Sequence, residues 1–415
     1  MDINQQQKSF FEEVSFNNKQ GMYFEEDNTG VEIEEEEIVE PFDPTKIKID
    51  ARQITIDLVL NRIKFGEIDL SPDFQRDSNI WNDTAKSRLI ESMLIRIPLP
   101  AFYIDATNED KWVVIDGQQR LTTIKNFVLG ERRNDLLLEE SEEEVYEKKF
   151  RLSKLEFLTQ FNEKNYDELP RSYQRRINET QITVYLIEKE TPEEVKFNIF
   201  RRINTGGLPL SSQEIRHALN QGKRGKSTSF LEKLAKSDLF KKATANGISD
   251  KRMAAREVAL RFLAFKIFPY TEYDAKDLDS FLNKAMAKMN NMSQEELNEL
   301  EGAFSRAMTT AFKIFGDDAF RKRYDKKASR SQINKALFEA WSVNLSDLNE
   351  EQIHFLVDHK EELKEKFIYL MNKDQTFNGT ISSGTGIANR VKYRFSKIKE
   401  LLEETLEMHS LNSLG

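Results

Sequence analysis

The stretch Lys111-Trp112-Val113-Val114-Ile115-Asp116-Gly117-Gln118-Gln119-Arg120-Leu121-Thr122-Thr123 decides how the first half of the chain is read. Its opening run of aromatic and β-branched residues spells a strand. From Leu121 an apolar period of helical spacing runs to Leu129, and Gly130 ends it. The joint between them carries chemistry. A helix N-terminus presents N–H groups without carbonyl partners and a partial positive charge, which is where anions bind. Gly117 lets backbone approach a ligand, and Arg120 offers a planar fork suited to phosphate. Thr122 or Thr123 can donate a hydroxyl or ligate magnesium, and Asp116 can orient water or a metal. The plainer reading is a strand–turn–helix joint with glycine in the turn, Gln as a cap and Arg120 in a salt bridge. Taken alone, these residues favour that plainer reading.

Working outward, Phe102-Tyr103-Ile104-Asp105 reads as a second strand, joined to the first by the polar turn Thr107-Asn108-Glu109-Asp110. Upstream, residues 55–63 read as a short helix with Leu58 and Ile63 inward. Residues 83–95 read as another, with Ala85, Leu89, Ser92 and Met93 at helical spacing and Pro98 and Pro100 stopping it. Downstream, residues 131–165 are charged and read as an inserted hairpin or loop. A helix near 170–179, a strand at 182–187 and a helix from Pro192 to Arg202 follow. Ser211 and Glu214 then form a capping box. Beyond residue 220 strand signals fade, and helical spacing recurs at 251–268, 294–315, 331–342, 349–372 and 386–408. The expected fold class is therefore α+β: a mixed α/β domain over 46–220, then an all-α domain over 221–415.

The chain has 415 residues and a formal net charge of −9, but residues 1–50 hold 14 acids against 4 lysines, a net of −10. The remaining residues hold 58 bases and 57 acids. The acidity thus belongs to a tail, residues 1–45, which carries Glu34-Glu35-Glu36-Glu37 and reads as disordered. That tail is either a solubilising device or an arm that competes with nucleic acid for a basic groove. The acidic total does not argue against nucleic acid as a partner. No apolar run reaches the roughly 20 residues of a membrane helix, and the first residues are unlike a secretory signal. With no cysteine at all, disulfides, thiolate zinc sites and Cys nucleophiles are excluded. A cytoplasmic protein with no membrane partner is expected.

Two further clusters keep the joint company. Pro72-Asp73-Phe74-Gln75-Arg76, with Trp81 after it, and Phe200-Arg201-Arg202-Ile203-Asn204-Thr205-Gly206-Gly207 both gather Arg, Gln or Asn beside Pro or Gly at element ends. In this order, and with Ile97-Pro98, Leu210-Ser211 and Glu214-Ile215, the clusters resemble the N-terminal domain family of the GmrSD-type restriction proteins, over about 54–219. The resemblance implies a ParB/sulfiredoxin-like domain that binds a nucleoside triphosphate with Mg2+ and hydrolyses it in defence against foreign DNA. Carried over by motif, Asp116, Gln119 and Arg120 are the catalytic candidates. Gln75, Arg76, Gly117, Gln118, Thr122, Thr123, Arg202 and Asn204 are the nucleotide-binding candidates. Larger members carry a C-terminal His-Asn-His nuclease. The histidines here, His217, His354, His359 and His409, do not have the spacing to build one.

The helical half offers bases instead. Arg321, Lys322, Arg323, Lys326, Lys327 and Arg330 surround Tyr324, and Arg390, Lys392 and Arg394 form a second group. Basic runs with aromatics suit a phosphate backbone, while ordinary solvated helix faces explain any one cluster equally well. The expected function is an NTP-hydrolysing defence protein that acts on or senses DNA, with a co-encoded partner or a second copy as further partners. Two rivals remain: a non-enzymatic, nucleotide-gated DNA-binding switch, and a metal-dependent nickase using Asp116.

Overall fold

A computed structural model describes residues 29–32, 48–70, 81–132, 146–147, 149–189, 191–203, 211–221, 225–274 and 277–412. Chain order in the first half is β1 (Ile49–Thr55), α1 (Ile56–Lys64), β2 (Ile68–Asp69), α2 (Asp83–Leu94), β3 (Phe102–Asp105) and β4 (Trp112–Asp116). Then come α3 (Gln118–Val128), the short pair β5 (Glu131–Arg132) and β6 (Tyr146–Glu147), α4 (Arg171–Asn178), β7 (Gln181–Ile187), α5 (Glu193–Ile203) and α6 (Ser212–Gln221).

Five strands form one sheet in the order β1-β7-β3-β4-β2. The β1–β7 and β3–β4 pairs are antiparallel, and β7–β3 and β4–β2 are parallel. Because side chains alternate along a strand, β4 serves two cores at once. Trp112 and Val114 join Phe102, Ile104 and the helices α1 to α4 on one face, whereas Ile115 and Val113 meet Phe197, Phe200 and Ile215 of α5 and α6 on the other. The joint after β4 is thus held between two layers of helix.

The predicted strands and helices around residues 102–128 are present, and the antiparallel pairing of β3 with β4 follows the turn at 107–110. Two local readings change. In α1, Leu58 is exposed while Ile56, Val59, Leu60 and Ile63 are buried. Thr55 caps the helix by accepting from the Leu58 amide, and the 3.6-residue period then turns Leu58 outward. The later part of the 131–165 stretch, expected as inserted hairpin or loop, is built into the domain: Leu152 and Phe161, with Tyr166 just after them, enter the first core. Buried Glu91 of α2 clamps that segment by accepting from the amides of Glu156, Phe157 and Leu158.

The second half is all helical in its long elements. It comprises α7 (Lys226–Lys236), α8 (Asp238–Ala243), α9 (Ala254–Ile267), α10 (Leu278–Asn290), α11 (Gln294–Phe315), α12 (Lys335–Ser346), α13 (Glu350–Asp358), α14 (Lys360–Lys373), α15 (Gln375–Thr380) and α16 (Ala388–Asn412). The expected single helix over 349–372 is two, divided at His359. Ser293 and Glu296 form the capping box that opens α11. Helices α9 and α12 are buried almost all round and make the centre of one aromatic-rich core. That centre holds charge: Glu339 lies between Arg261, at 2.8 Å, and Arg394, at 2.5 Å, all three sealed from solvent.

Part of the acidic tail is built into this half. Val31 is buried in the helical core and bridges Ile333, whose amide donates to the Gly30 carbonyl. Gly30 has φ +79°, and a Cβ there would stand 1.6 Å from the Gly247 carbonyl oxygen, so only glycine fits. Glu32 meets Asn334 and Lys322, each at 2.8 Å. The expectation of disorder therefore fails for residues 29–32; most of the tail lies outside the described residues.

Candidate functional site

Gly117 makes the joint. It sits in the left-handed region at φ +94°, and the helix begins directly after it, three residues earlier than the apolar period announces. A Cβ on Gly117 would come within 2.3 Å of the Phe102 ring. The first intrahelical bond runs from the Leu121 amide to the Gly117 carbonyl. By helix geometry the amides of Gln118, Gln119 and Arg120 precede that bond and point off the helix start, beside Asp116.

Arg120 is held on every side. It donates to Asp116 at 2.9 Å and to the Ala101 carbonyl at 3.1 Å, also to the Pro100 carbonyl, and lies 4.4 Å over the Phe102 ring. Burial pushes its guanidinium below the usual range, and the Asp116 carboxylate works against that shift. The salt bridge of the plainer sequence reading is therefore formed, and Arg120 staples the residues leading into β3 to the end of β4. The Gln cap is not formed. Gln118 instead donates to the Leu70 carbonyl, at the base of the 71–80 segment that carries Gln75 and Arg76. Thr123 spends its hydroxyl on the Gln119 carbonyl, 2.7 Å away, while Thr122 is half-buried. The Tyr103 phenol, raised by burial and then by Tyr185 and Asp116, stacks on Tyr185 beside the joint.

The third cluster approaches from the other face. Arg202 lies in the last turn of α5, which packs against β4. Its side chain, with Asn204, Gln75 and Arg76, lies outside the described residues. The flanks of all three clusters thus converge on the β4–α3 joint. Residues 56–220 match the family model of the GmrSD restriction endonuclease N-terminal domain. This region is similar to the GmrSD-type N-terminal domain. A comparison of the chain with curated proteins returned no match.

Sequence reasoning missed two charged residues that brace the mixed α/β domain. Lys196 of α5 is 1% exposed and donates to Thr107, with the Asp105 carboxylate 3.6 Å away. Asp279 of α10 takes Arg201 of α5 at 3.0 Å and Arg216 of α6, the latter pair buried. Only a salt partner far along the chain distinguishes these groups from surface charges.

The bases of the helical half lie in different settings. Arg394 is fully buried against Glu339, and Arg321 is buried with three backbone carbonyls, so neither presents a face to a phosphate. Arg390 holds the carbonyls of Gly379 and Ser383. Lys322 pairs with Glu32, Arg323 with Asp318, Lys326 with Glu365 and Arg330 with Asp317. Lys327 is exposed and Lys392 half-exposed. Of the histidines, His217 is buried in α6, while His359 stacks on Phe355 where α13 gives way to α14. Among the described residues no group of three or more Asp, Glu or His stands together as a metal cluster would, and no helix is long and apolar enough to cross a membrane.

Proposed function

We propose that the β4–α3 joint binds the phosphates of a nucleoside triphosphate and hydrolyses it, in a restriction-type defence response to foreign DNA. The observation that carries this reading is Gly117. Its left-handed turn starts α3 immediately beside Asp116 and Arg120, in a region similar to the GmrSD-type N-terminal domain. The amides of Gln118 and Gln119 hold phosphate oxygens, and Arg120 fixes the turn through Asp116, Pro100 and Ala101. Asp116 and Thr122 are oxygen donors, the type magnesium takes, and they fit an ion arriving with the triphosphate. Bound there, such an ion would neutralise charge on the phosphoryl group being transferred. Positioning and charge stabilisation carry most of such a reaction, so a fixed corner of donors suits it.

The test is phosphate release from ATP, GTP, CTP and UTP with magnesium, for wild type, Asp116→Asn and Arg120→Ala. Turnover of at least one nucleotide is expected, with a loss on the order of 100-fold in Asp116→Asn. Absence of turnover with all four would sink the hydrolytic claim. A second reading, a nucleotide-gated DNA-binding switch, is favoured by Asp279, whose two arginines tie α5 and α6 to the helical half. It predicts saturable nucleotide binding without turnover, and a DNA affinity that changes with nucleotide and falls steeply with salt.

A further inference from the structure

A cavity of about 160 Å³ opens between α11, α12, α14 and the loop after α11, far in sequence from the β4–α3 joint. Its walls are aromatic: Phe315, Phe320, Trp341 and Phe367. Trp341 meets the rings of Phe315 and Phe367 edge-on, at 4.7 and 5.3 Å between centroids. An apolar cavity of about 150 Å³ accepts one benzene ring, so this space is sized for a single aromatic ring. Phe320 is held at φ +64°, a conformation a bulky side chain avoids, and strain of that kind collects at binding and catalytic sites.

The mouth is cationic. Arg323, Lys326 and Lys364 line it, against the acids Asp318 and Glu361. Lys326 pairs with Glu365 and Lys364 with Glu361, the latter at 2.8 Å, and three of these four side chains are more than half exposed. Solvent-screened pairs of this kind are weak, so an anion that also buries a ring can displace the carboxylates.

We propose that this cavity binds one planar aromatic ring carrying an anionic group. That chemistry is shared by a free nucleoside monophosphate and by an unstacked nucleotide of a single strand. The ring enters among Trp341, Phe315 and Phe367, where stacking and edge contacts hold it. The phosphate remains at the mouth, between Lys326 and Lys364.

The full chain, labelled with 5-fluorotryptophan, reports on the cavity directly. It contains three tryptophans, and Trp341→Phe identifies the 341 fluorine signal. Titration with uridine 5′-monophosphate is expected to move that signal saturably. Uridine alone and inorganic phosphate alone bind at least about tenfold more weakly, because each forfeits the ring or the charge-assisted bonds. The surface variant Lys326→Gln/Lys364→Gln leaves folding intact and weakens binding by a similar factor. A 341 signal that uridine monophosphate does not move, or a shift unaltered by the double variant, overturns the proposal. Competition by pentathymidylate assigns the site to a strand, and its failure to compete assigns it to the free nucleotide.

Discussion

The Arg216 guanidinium of α6 and the Asp279 carboxylate of α10 form an ion pair with almost no exposed surface. The same carboxylate takes Arg201, one residue before the site candidate Arg202, at 3.0 Å. The mixed α/β domain and the helical half are therefore joined by a shared carboxylate next to the candidate site. Arg216 also lies 5.3 Å from the Phe197 ring, within the second core of the sheet.

Removing one partner of a buried pair leaves an uncompensated charge, at a cost of about 3–5 kcal/mol. Asp279→Ala is expected to lower the urea midpoint by that equivalent. Arg216→Met combined with Asp279→Leu should recover most of the loss, because a well-packed apolar pair replaces the ionic one. A double variant as unstable as the sum of the single ones would show that the pair contributes packing rather than charge compensation.

Gly117→Ala places a methyl group in the Phe102 ring and forces alanine to φ +94°. A loss of about 1–3 kcal/mol is expected from the backbone alone, with more from the clash. Adding Phe102→Leu should relieve the clash but not the backbone strain, so only part of the thermal stability returns. Under the proposed function, nucleotide binding stays lost in both variants.

Glu91 makes the first core sensitive to acid. Burial works to raise its carboxyl, but the amides of Leu158, Glu156 and Phe157 outweigh it and hold the group below its usual 4.5. A folded-state value below the unfolded one gives stability that is complete above the unfolded value and is lost as pH falls through the folded one. Glu91→Gln should therefore be less stable than wild type near pH 7, and the gap in urea midpoints should narrow as pH falls through the lowered folded-state value of Glu91. A gap that stayed constant with pH would place the effect in packing.

The tail allows charge and anchoring to be separated. Gly30→Ala meets the Gly247 carbonyl and a positive φ, so it is expected to destabilise the helical half by more than about 1 kcal/mol. Replacing Glu34, Glu35, Glu36 and Glu37 with Gln leaves the anchor intact. If the tail's charge competes with DNA, that change raises DNA affinity at low salt and has little effect at high salt. Equal affinity at both salts would leave the tail without that role.

Much of this was legible from residue order. The run 112–116 alternates between two cores, and the glycine after it could only be a turn, so the joint was visible before its surroundings were. The family motifs named residues whose flanks do converge. What stayed hidden was the assignment of charge. Arg394 read as one of three bases in a surface cluster, yet its partner Glu339 stands 55 positions away at the centre of the core. Nothing local marks a buried arginine, because its neutralising acid comes from another helix. Lys196 and Asp279 escaped for the same reason. Leu58 was misplaced because the capping threonine, rather than the apolar count, sets where the period starts.

The contact of Glu32 with Asn334 spans 302 positions of the chain. During synthesis at roughly 5–20 residues per second, the segment around Val31 therefore waits on the order of 15–60 s for the strip it will bridge. The sheet and its joint can assemble in that interval with the tail still unattached. Closing the Val31 bridge then follows assembly of the sheet, so docking of the first described residues reports that the strip around Ile333 is in place.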